Sequence, residues 1–361
     1  MTTTPSHMRA VLLTGHGGLE KLEYRTDWPT PVPGPEEVLI CVGACGLNNT
    51  DVNTRSGWYS KAVTEATSSE GYAEIGEEDP TWGAAPLTFP RIQGADAVGR
   101  VVAAGANADK ALIGKRVMVD GWQRDWSDPL NKNKALYFGS EMDGGFAEFT
   151  KCDHRGVEVI ESDLSDAELA TFQCSYTTAE GMLTRAGVTD ADTVLVPGAS
   201  GGVGGALVQL AKHRGARVIA MASEAKHSDV AKFKPDVILP RGPKNLRAAL
   251  GDEKITVVGD VVGGAYFPTL VEVLERGGRY TCSGAIAGPI VDLDLRTMYL
   301  QDLTFTGSTI VPPGTLATVV KHIESGAIRP ALAASYPLSD LPAAQTAFIE
   351  KTHTGNIVVT M

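Results

Sequence analysis

Val194-Leu195-Val196-Pro197-Gly198-Ala199-Ser200-Gly201-Gly202-Val203-Gly204 reads as a short apolar strand running into a glycine turn. A helix should follow, because Val203, Ala206, Leu207, Leu210 and Ala211 fall on one face at helical spacing. Gly215 is placed to end it in a left-handed conformation. Strand, glycine turn and helix, followed by a second apolar run at Arg217–Ala222, make the opening unit of a dinucleotide-binding fold. The glycines let the backbone turn tightly and a pyrophosphate come close. The helix start then offers unpaired N–H groups and the positive end of its dipole. Ala199 stands where the first glycine of G-x-G-x-x-G would fall, so the fingerprint is incomplete. The plainer alternative is a glycine-rich connection in an ordinary α/β domain.

Which nucleotide is read from the end of the second strand. An NAD site usually carries an acid there, about 20 residues past the glycines, to hold the ribose 2′-hydroxyl. This chain has Ala222-Ser223-Glu224-Ala225-Lys226 instead. A hydroxyl and an ammonium without an acid at the strand end suit a 2′-phosphate, and the expectation is NADP(H). Glu224 complicates this unless it faces solvent.

Composition narrows the classes. A chain of 361 residues has room for about two domains. Its net charge of −11 argues against nucleic acid or an anionic membrane surface as partner. No apolar run approaches the ~20 residues of a membrane span, and the polar start Met1–His7 is no signal peptide. Cys41, Cys45, Cys152, Cys174 and Cys282 are odd in number and scattered, which fits a reduced, cytoplasmic enzyme better than a disulfide framework.

Residues 8 to about 157 read as mostly β, with runs at Met8–Leu13, Glu37–Val42, Asp96–Ala103 and Arg116–Val119 between Gly and Pro turns. From Ser162 helices alternate with apolar runs at 194–196, 217–222, 236–239, 255–262, 279–282 and 303–306, the spacing of a doubly wound parallel sheet. The expected layout is a β-rich domain of residues 1–157, a nucleotide domain of 158–308, and a return of 309–361 to complete the first. The substrate cleft would lie between them.

Seven stretches in this order resemble the medium-chain dehydrogenase/reductase superfamily over nearly the whole chain, and most of all its zinc-free quinone oxidoreductase and enoyl reductase branch. They are GACGLNNTD (43–51), FPRIQGADAVGRVV (89–102), GKRVM (114–118), DGGFAEF (143–149), TTAEGML (177–183), VLVPGASGGVG (194–204) and TGNIVV (354–359). The resemblance implies an α/β protein with a Rossmann doubly wound parallel sheet and a GroES-like β-barrel domain, assembled as a homodimer or homotetramer.

Zinc-dependent members hold their catalytic metal with Cys, His and Cys. The matching positions here are Asn48, Ala95 and Cys174, and residues 119–142 contain no cysteine for a structural zinc. One thiol cannot make the usual three-ligand site, so no metal is expected. Cys174 then reads as a small buried residue. Asp51 and Asp96 read as solvated or helix-capping carboxylates rather than ligands.

Without a metal, hydrogen-bond donors must stabilise the oxygen that gains charge during hydride transfer. The resemblance assigns this to Asn48 and Tyr59; the branch's second Tyr, six residues before Tyr59, is Asn53 here. The alternative for Tyr59 is an aromatic closing a barrel edge beside Trp58. Cofactor contacts implied by the resemblance are Thr178 at the nicotinamide, Ser200, Gly201, Gly202 and Val203 at the pyrophosphate, and Ser223 and Lys226 at the 2′-phosphate. Arg241, next to Pro240 where a Tyr is usual, is a further cationic candidate. Val262, Ser283, Gly284 and Ala285 are expected at the nicotinamide end. Asn356 replaces a usual Lys, which puts that contact in doubt.

Two insertions depart from the pattern. Residues 60–88 carry six acids against one Lys, and read either as a lid that would discourage anionic substrates or as a solvated loop or oligomer contact. Residues 121–141, with Trp122, Trp126 and Tyr137, are expected to serve packing or subunit contact rather than chemistry. The function expected is an NADPH-dependent, metal-free reductase of a quinone or α,β-unsaturated carbonyl. The alternatives are a zinc-type alcohol or aldehyde dehydrogenase with unusual ligands, and a non-catalytic NADPH-binding protein.

Overall fold

Valine-, leucine- and isoleucine-rich runs without polar alternation are what a parallel sheet covered on both faces requires. The computed structural model, which describes residues 4–67 and 87–361, forms that sheet from Thr193–Val196, Arg217–Ala222, Val237–Pro240, Ile255–Asp260, Leu274–Cys282 and Thr304–Gly307. Every neighbouring pair runs parallel. Side chains alternate between the two faces: Val194, Val196, Val218 and Ala220 enter one apolar core, while Leu195, Ile219 and Met221 enter the other. Across the sheet the first strand lies between the second and the fourth, so the direction of winding reverses beside it. Ligands bind such sheets in the crevice at that reversal, outside the strands' carboxyl ends.

Helix Gly202–His213 is buried almost all round, from Gly204 to Ala211, because helix Gln173–Arg185 covers the side away from the sheet. It stops at His213, with Gly215 at φ +84° as the sequence predicts.

The β-rich part is built around Glu37–Gly46. This strand pairs antiparallel with Asp96–Ala104, with Phe149–Asp153 and, at Ala44–Gly46, with Asn356–Thr360. Leu332–Pro337 then lies parallel to Asn356–Thr360. The long return from the nucleotide sheet is therefore part of the barrel. In helix Thr315–Glu324 the residues Leu316, Val319, Val320 and Ile323 join the apolar core of the parallel sheet, packed on helix Gln173–Arg185. We infer that residues up to about 331 belong with the nucleotide domain.

Candidate active site

Strand Glu37–Gly46 delivers the chain into the cleft, and Asn48 is the N-cap of the helix Asn49–Ser56 that follows. Its backbone N–H donates to Asp51 Oδ2 at 2.8 Å, which fixes the first helical turn. Its side-chain Nδ2 donates to Asp96 Oδ2 at 3.0 Å. Asp96 in turn accepts the backbone N–H of Cys174 on its other oxygen, at 2.9 Å. One carboxylate thus ties the barrel residue Asn48 to the first turn of helix Gln173–Arg185. Asp51 accepts the Gly94 N–H as well, at 3.2 Å. Burial pushes both carboxyls far above the usual carboxylate range, each to about 7, and the Asp96 charge adds to the cost of ionising Asp51. Asp96 is fully buried, not solvated, and acts as an acceptor within the site.

Tyr59 follows the same helix. Its hydroxyl lies with the side chains of Thr50 and Asn53, and burial pushes it up to about 12, so the phenol is protonated at neutral pH. The Cys174 thiol is within its electrostatic reach. Asn53, where the branch has a second Tyr, is therefore a partner of the first. Cys174 is half-buried, and Thr178 lies one helical turn on, within electrostatic reach of the thiol. Asn48, Tyr59, Cys174 and Thr178 are brought to one place.

Tyr137, in the segment expected to serve packing or subunit contact, also lies near this place. Strand pair Trp122–Gln123/Leu136–Tyr137 sets Tyr137 opposite Trp122, with ring centroids 4.8 Å apart. Its ring is buried, it lies within electrostatic reach of Cys174 and Asp96, and desolvation drives the phenol well above its ordinary range. Nothing local in the sequence announces this; the aromatic pair is visible, but its position is set by contacts between distant segments.

The zinc positions do not fit a metal. Asn48 points its amide nitrogen at Asp96, Ala95 has no donor, and Cys174 supplies a single thiol. Among the described residues no group of three His, Cys, Asp or Glu side chains gathers. Five free cysteines are present.

The nucleotide side fits its expected ligand. Gly198 turns at φ +67°, and helix Gly202–His213 starts at Gly201 with no side-chain cap, leaving its first N–H groups to an anion. A Cβ on Gly204 would collide with the Gly198 carbonyl, and one on Gly202 would come within 2.5 Å of both Asn356 Oδ1 and Ser175 Oγ. Asn356 therefore has a definite role. It is buried beneath the phosphate turn and donates from Nδ2 to the Thr171 carbonyl at 2.9 Å and to Ser175 Oγ at 3.1 Å. Gly355 N–H donates to the Ser200 carbonyl at 2.9 Å, so the turn is stitched to the barrel's returning segment.

At the other end of the crevice Ala222 is in register with Pro240, which sets Ser223 and Arg241 at adjacent strand ends. Glu224 is exposed, and Ser223 makes no cap bond. Lys226 Nζ donates to the carbonyls of Lys351 and His353, at 2.6 and 2.7 Å, and lies within reach of the Arg241 charge. Lys351, which the sequence did not single out, stands at φ +53° with its ammonium on Asn49 Oδ1 at 2.9 Å and over the Phe348 ring. Burial lowers it to about 7. At the nicotinamide end, buried Asp260 accepts the N–H groups of Val262 and Gly263 and the Tyr280 hydroxyl. The Val262 carbonyl accepts Ala287 N–H, and Ser283 N–H donates to the Asp260 carbonyl, which draws the turns bearing Val262, Ser283, Gly284 and Ala285 together. The start of the first insertion reaches this loop: Thr67 N–H donates to the Ile286 carbonyl at 3.0 Å. The remainder of the expected lid, residues 68–86, lies outside the described residues.

Known proteins match this chain throughout. A family model described as alcohol dehydrogenase GroES-like domain matches residues 34–162, and one described as zinc-binding dehydrogenase matches residues 202–325. An alcohol-dehydrogenase-like protein of known structure from Sinorhizobium meliloti 1021 is 45% identical, with a TM-score of 0.89 over 100% of this chain and 98% of its own. Acryloyl-coenzyme A reductase of Metallosphaera sedula is 27% identical over 98% of this chain and 100% of its own length. Human quinone oxidoreductase is 25% identical over 94% and 93%. With this sheet order, this barrel and this crevice, the chain belongs to the medium-chain dehydrogenase/reductase superfamily of alcohol dehydrogenase-like oxidoreductases.

Proposed function

We propose that the protein is an NADPH-dependent, metal-free reductase of a quinone or an α,β-unsaturated carbonyl compound. The observation that carries this reading is the Asn48 amide held on Asp96 at the position of a metal ligand. Bound NADPH would supply the hydride. The protein's part is to receive the charge that arrives on the substrate oxygen. Asp96 takes one N–H of Asn48 Nδ2, and the substrate oxygen takes the other. Tyr59, kept protonated by burial, is a second donor. The names of the acryloyl-coenzyme A reductase and quinone oxidoreductase relatives support the substrate class.

Ser223 and Arg241 at adjacent strand ends, with Lys226 close by and Glu224 exposed, support NADPH over NADH. The reducing state of all five thiols supports a cytoplasmic location, and no helix among the described residues is long and apolar enough to cross a membrane. We also infer self-assembly. Ile290, Leu295, Tyr299 and Leu300 are exposed apolar side chains leading into Thr304–Gly307, the open edge of the parallel sheet.

NADPH oxidation measured with a short enone, a quinone and an aldehyde, with and without a chelator, tests the reading. Enone or quinone turnover indifferent to chelator is expected. Aldehyde turnover abolished by chelator would overturn it in favour of a metal-dependent dehydrogenase. NADPH binding without turnover on any of the three would favour a non-catalytic role. For the cofactor, Ser223→Asp should weaken NADPH at least tenfold while leaving NADH unchanged or improved, because a carboxylate there repels the 2′-phosphate. Equal loss for both nucleotides would refute the assignment.

A further inference from the structure

Residues 351–356 run along the nucleotide crevice. At the start of this segment the carbonyls of Lys351 and His353 accept Lys226 Nζ, just past the strand end that carries Ser223. At its end Gly355 bonds the Ser200 carbonyl and pairs with Gly201 in the phosphate turn. The Lys351 side chain leaves this path for the barrel wall. Its ammonium donates there to Asn49 Oδ1 at 2.9 Å and lies 3.5 Å from the centre of the Phe348 ring. Asn49 opens the helix that Asn48 caps, and it lines a small pocket with Val52, Thr67, Ile349 and Lys351 itself. Lys351 thus has its backbone against the adenosine end of the crevice and its ammonium next to the neighbour of Asn48, at the reacting end. What a dinucleotide carries between those two ends is its pyrophosphate.

The ammonium is also unmatched in charge. Among the described residues no carboxylate pairs with it, and the charge that acts on it is the like charge of Lys226. Burial and that repulsion hold the amine down to about 7. Lys351 is moreover the C-cap of helix Leu341–Glu350 at φ +53°, where glycine is the ordinary choice. A lysine held in that conformation, buried and without an acid, is accounted for by an anion that arrives with a ligand. The phosphate turn lacks a cation of its own: Ser200–Gly204 contain none, and Asn356, where the resemblance places a Lys, has its amide committed to Thr171 and Ser175. We propose that Lys351 is a further cofactor-binding residue, whose ammonium binds the pyrophosphate of the nicotinamide dinucleotide together with the N–H groups at the start of helix Gly202–His213. This rests on the dinucleotide reading of the crevice, though not on the choice of NADPH over NADH, which share the pyrophosphate. An ammonium has three N–H donors; Asn49 takes one, and two remain for phosphate oxygens.

The test titrates the full-length protein with NADPH and with NADH by calorimetry, and melts it with and without each nucleotide. Lys351→Met keeps the length of the side chain and removes its charge. The expected result is a loss of affinity of about 10–100-fold, that of one charge-assisted hydrogen bond, equal within threefold for the two nucleotides. The nucleotide-free variant should melt no lower than the wild type, because the cation it removes is buried without a balancing acid. A loss confined to NADPH would move the ammonium to the 2′-phosphate and overturn the assignment. Affinities within twofold of the wild type would show that Lys351 does not bind the cofactor. Equal losses in a variant that already melts lower without nucleotide would make Lys351 a structural residue, which also overturns it. Each of these three outcomes leaves the dinucleotide reading standing. A wild type that binds neither nucleotide would remove that reading, and this assignment with it.

Discussion

Asp96 makes two hydrogen bonds that no other residue in the site duplicates, one to Asn48 and one to the Cys174 backbone. Asp96→Asn offers a single acceptor oxygen, so one of the two bonds must go. Because the Asn48 amide then loses its fixed orientation, kcat should fall by about 10²-fold with little change in NADPH affinity; steady-state kinetics with a titrated cofactor decides, and a loss confined to cofactor binding would contradict this role. The buried acids also set a pH dependence. Asp51 and Asp96 have folded values of about 7 against 3.8 for the free group, so they bind protons more tightly when folded. Their contribution to stability is fully present below about pH 4 and is lost as the pH rises to about 7. Asp51→Asn removes one of them. Its melting temperature relative to wild type should become more favourable between pH 4 and pH 7, and a constant difference across that window would refute the linkage. At this scale the sequence reveals Asn48 and Tyr59 through resemblance. It hides the acceptor role of Asp96, because a lone acid carries no local pattern until distant segments place it.

Among the elements, helix Gly202–His213 is the one whose sequence is sufficient to read. Its glycines, its apolar face and its terminator are all local signals, and the structure keeps each. What the sequence conceals is why Gly202 must be glycine. The constraint comes from Asn356 and Ser175, side chains on a strand and a helix remote in the chain. Gly202→Ala would force them apart, at a cost of about 1–3 kcal/mol for overpacking, and would shift the helix start that meets the pyrophosphate. Thermal denaturation should show the loss of stability, and nucleotide titration a weaker affinity; an unaltered protein on both counts would mean the neighbours yield freely. The placement of helix Thr315–Glu324 is not legible in the sequence for a related reason. The apolar side of Thr315–Glu324 fits either core by composition, and only packing on Gln173–Arg185 chooses between them.

For the whole molecule, layer order and sheet type follow from the spacing of apolar runs, whereas assembly does not. Helix Leu295–Leu300 has no buried residue, and Leu295 and Tyr299 lie one turn apart on it, both exposed. Their helix leads through Leu303, whose N–H bonds the Met298 carbonyl, straight into the edge strand Thr304–Gly307. A second copy related by a twofold axis could extend the sheet there and cover the apolar face. Light scattering on eluted protein should give a dimer or larger for the wild type and a monomer for Leu295→Glu combined with Tyr299→Glu. A monomeric wild type at micromolar concentration would refute the assembly.

The bond from Gly355 to Ser200, with Asn356 wedged beneath Gly202, has a consequence for biosynthesis. A ribosome makes residues 355–360 after every segment they touch. Until they emerge, strand Glu37–Gly46 lacks one neighbour and the phosphate turn lacks its floor. A nascent chain can therefore assemble the parallel sheet early yet hold nucleotide only once the returning strand is in place, so nucleotide capture follows the docking of that strand rather than the assembly of the sheet alone.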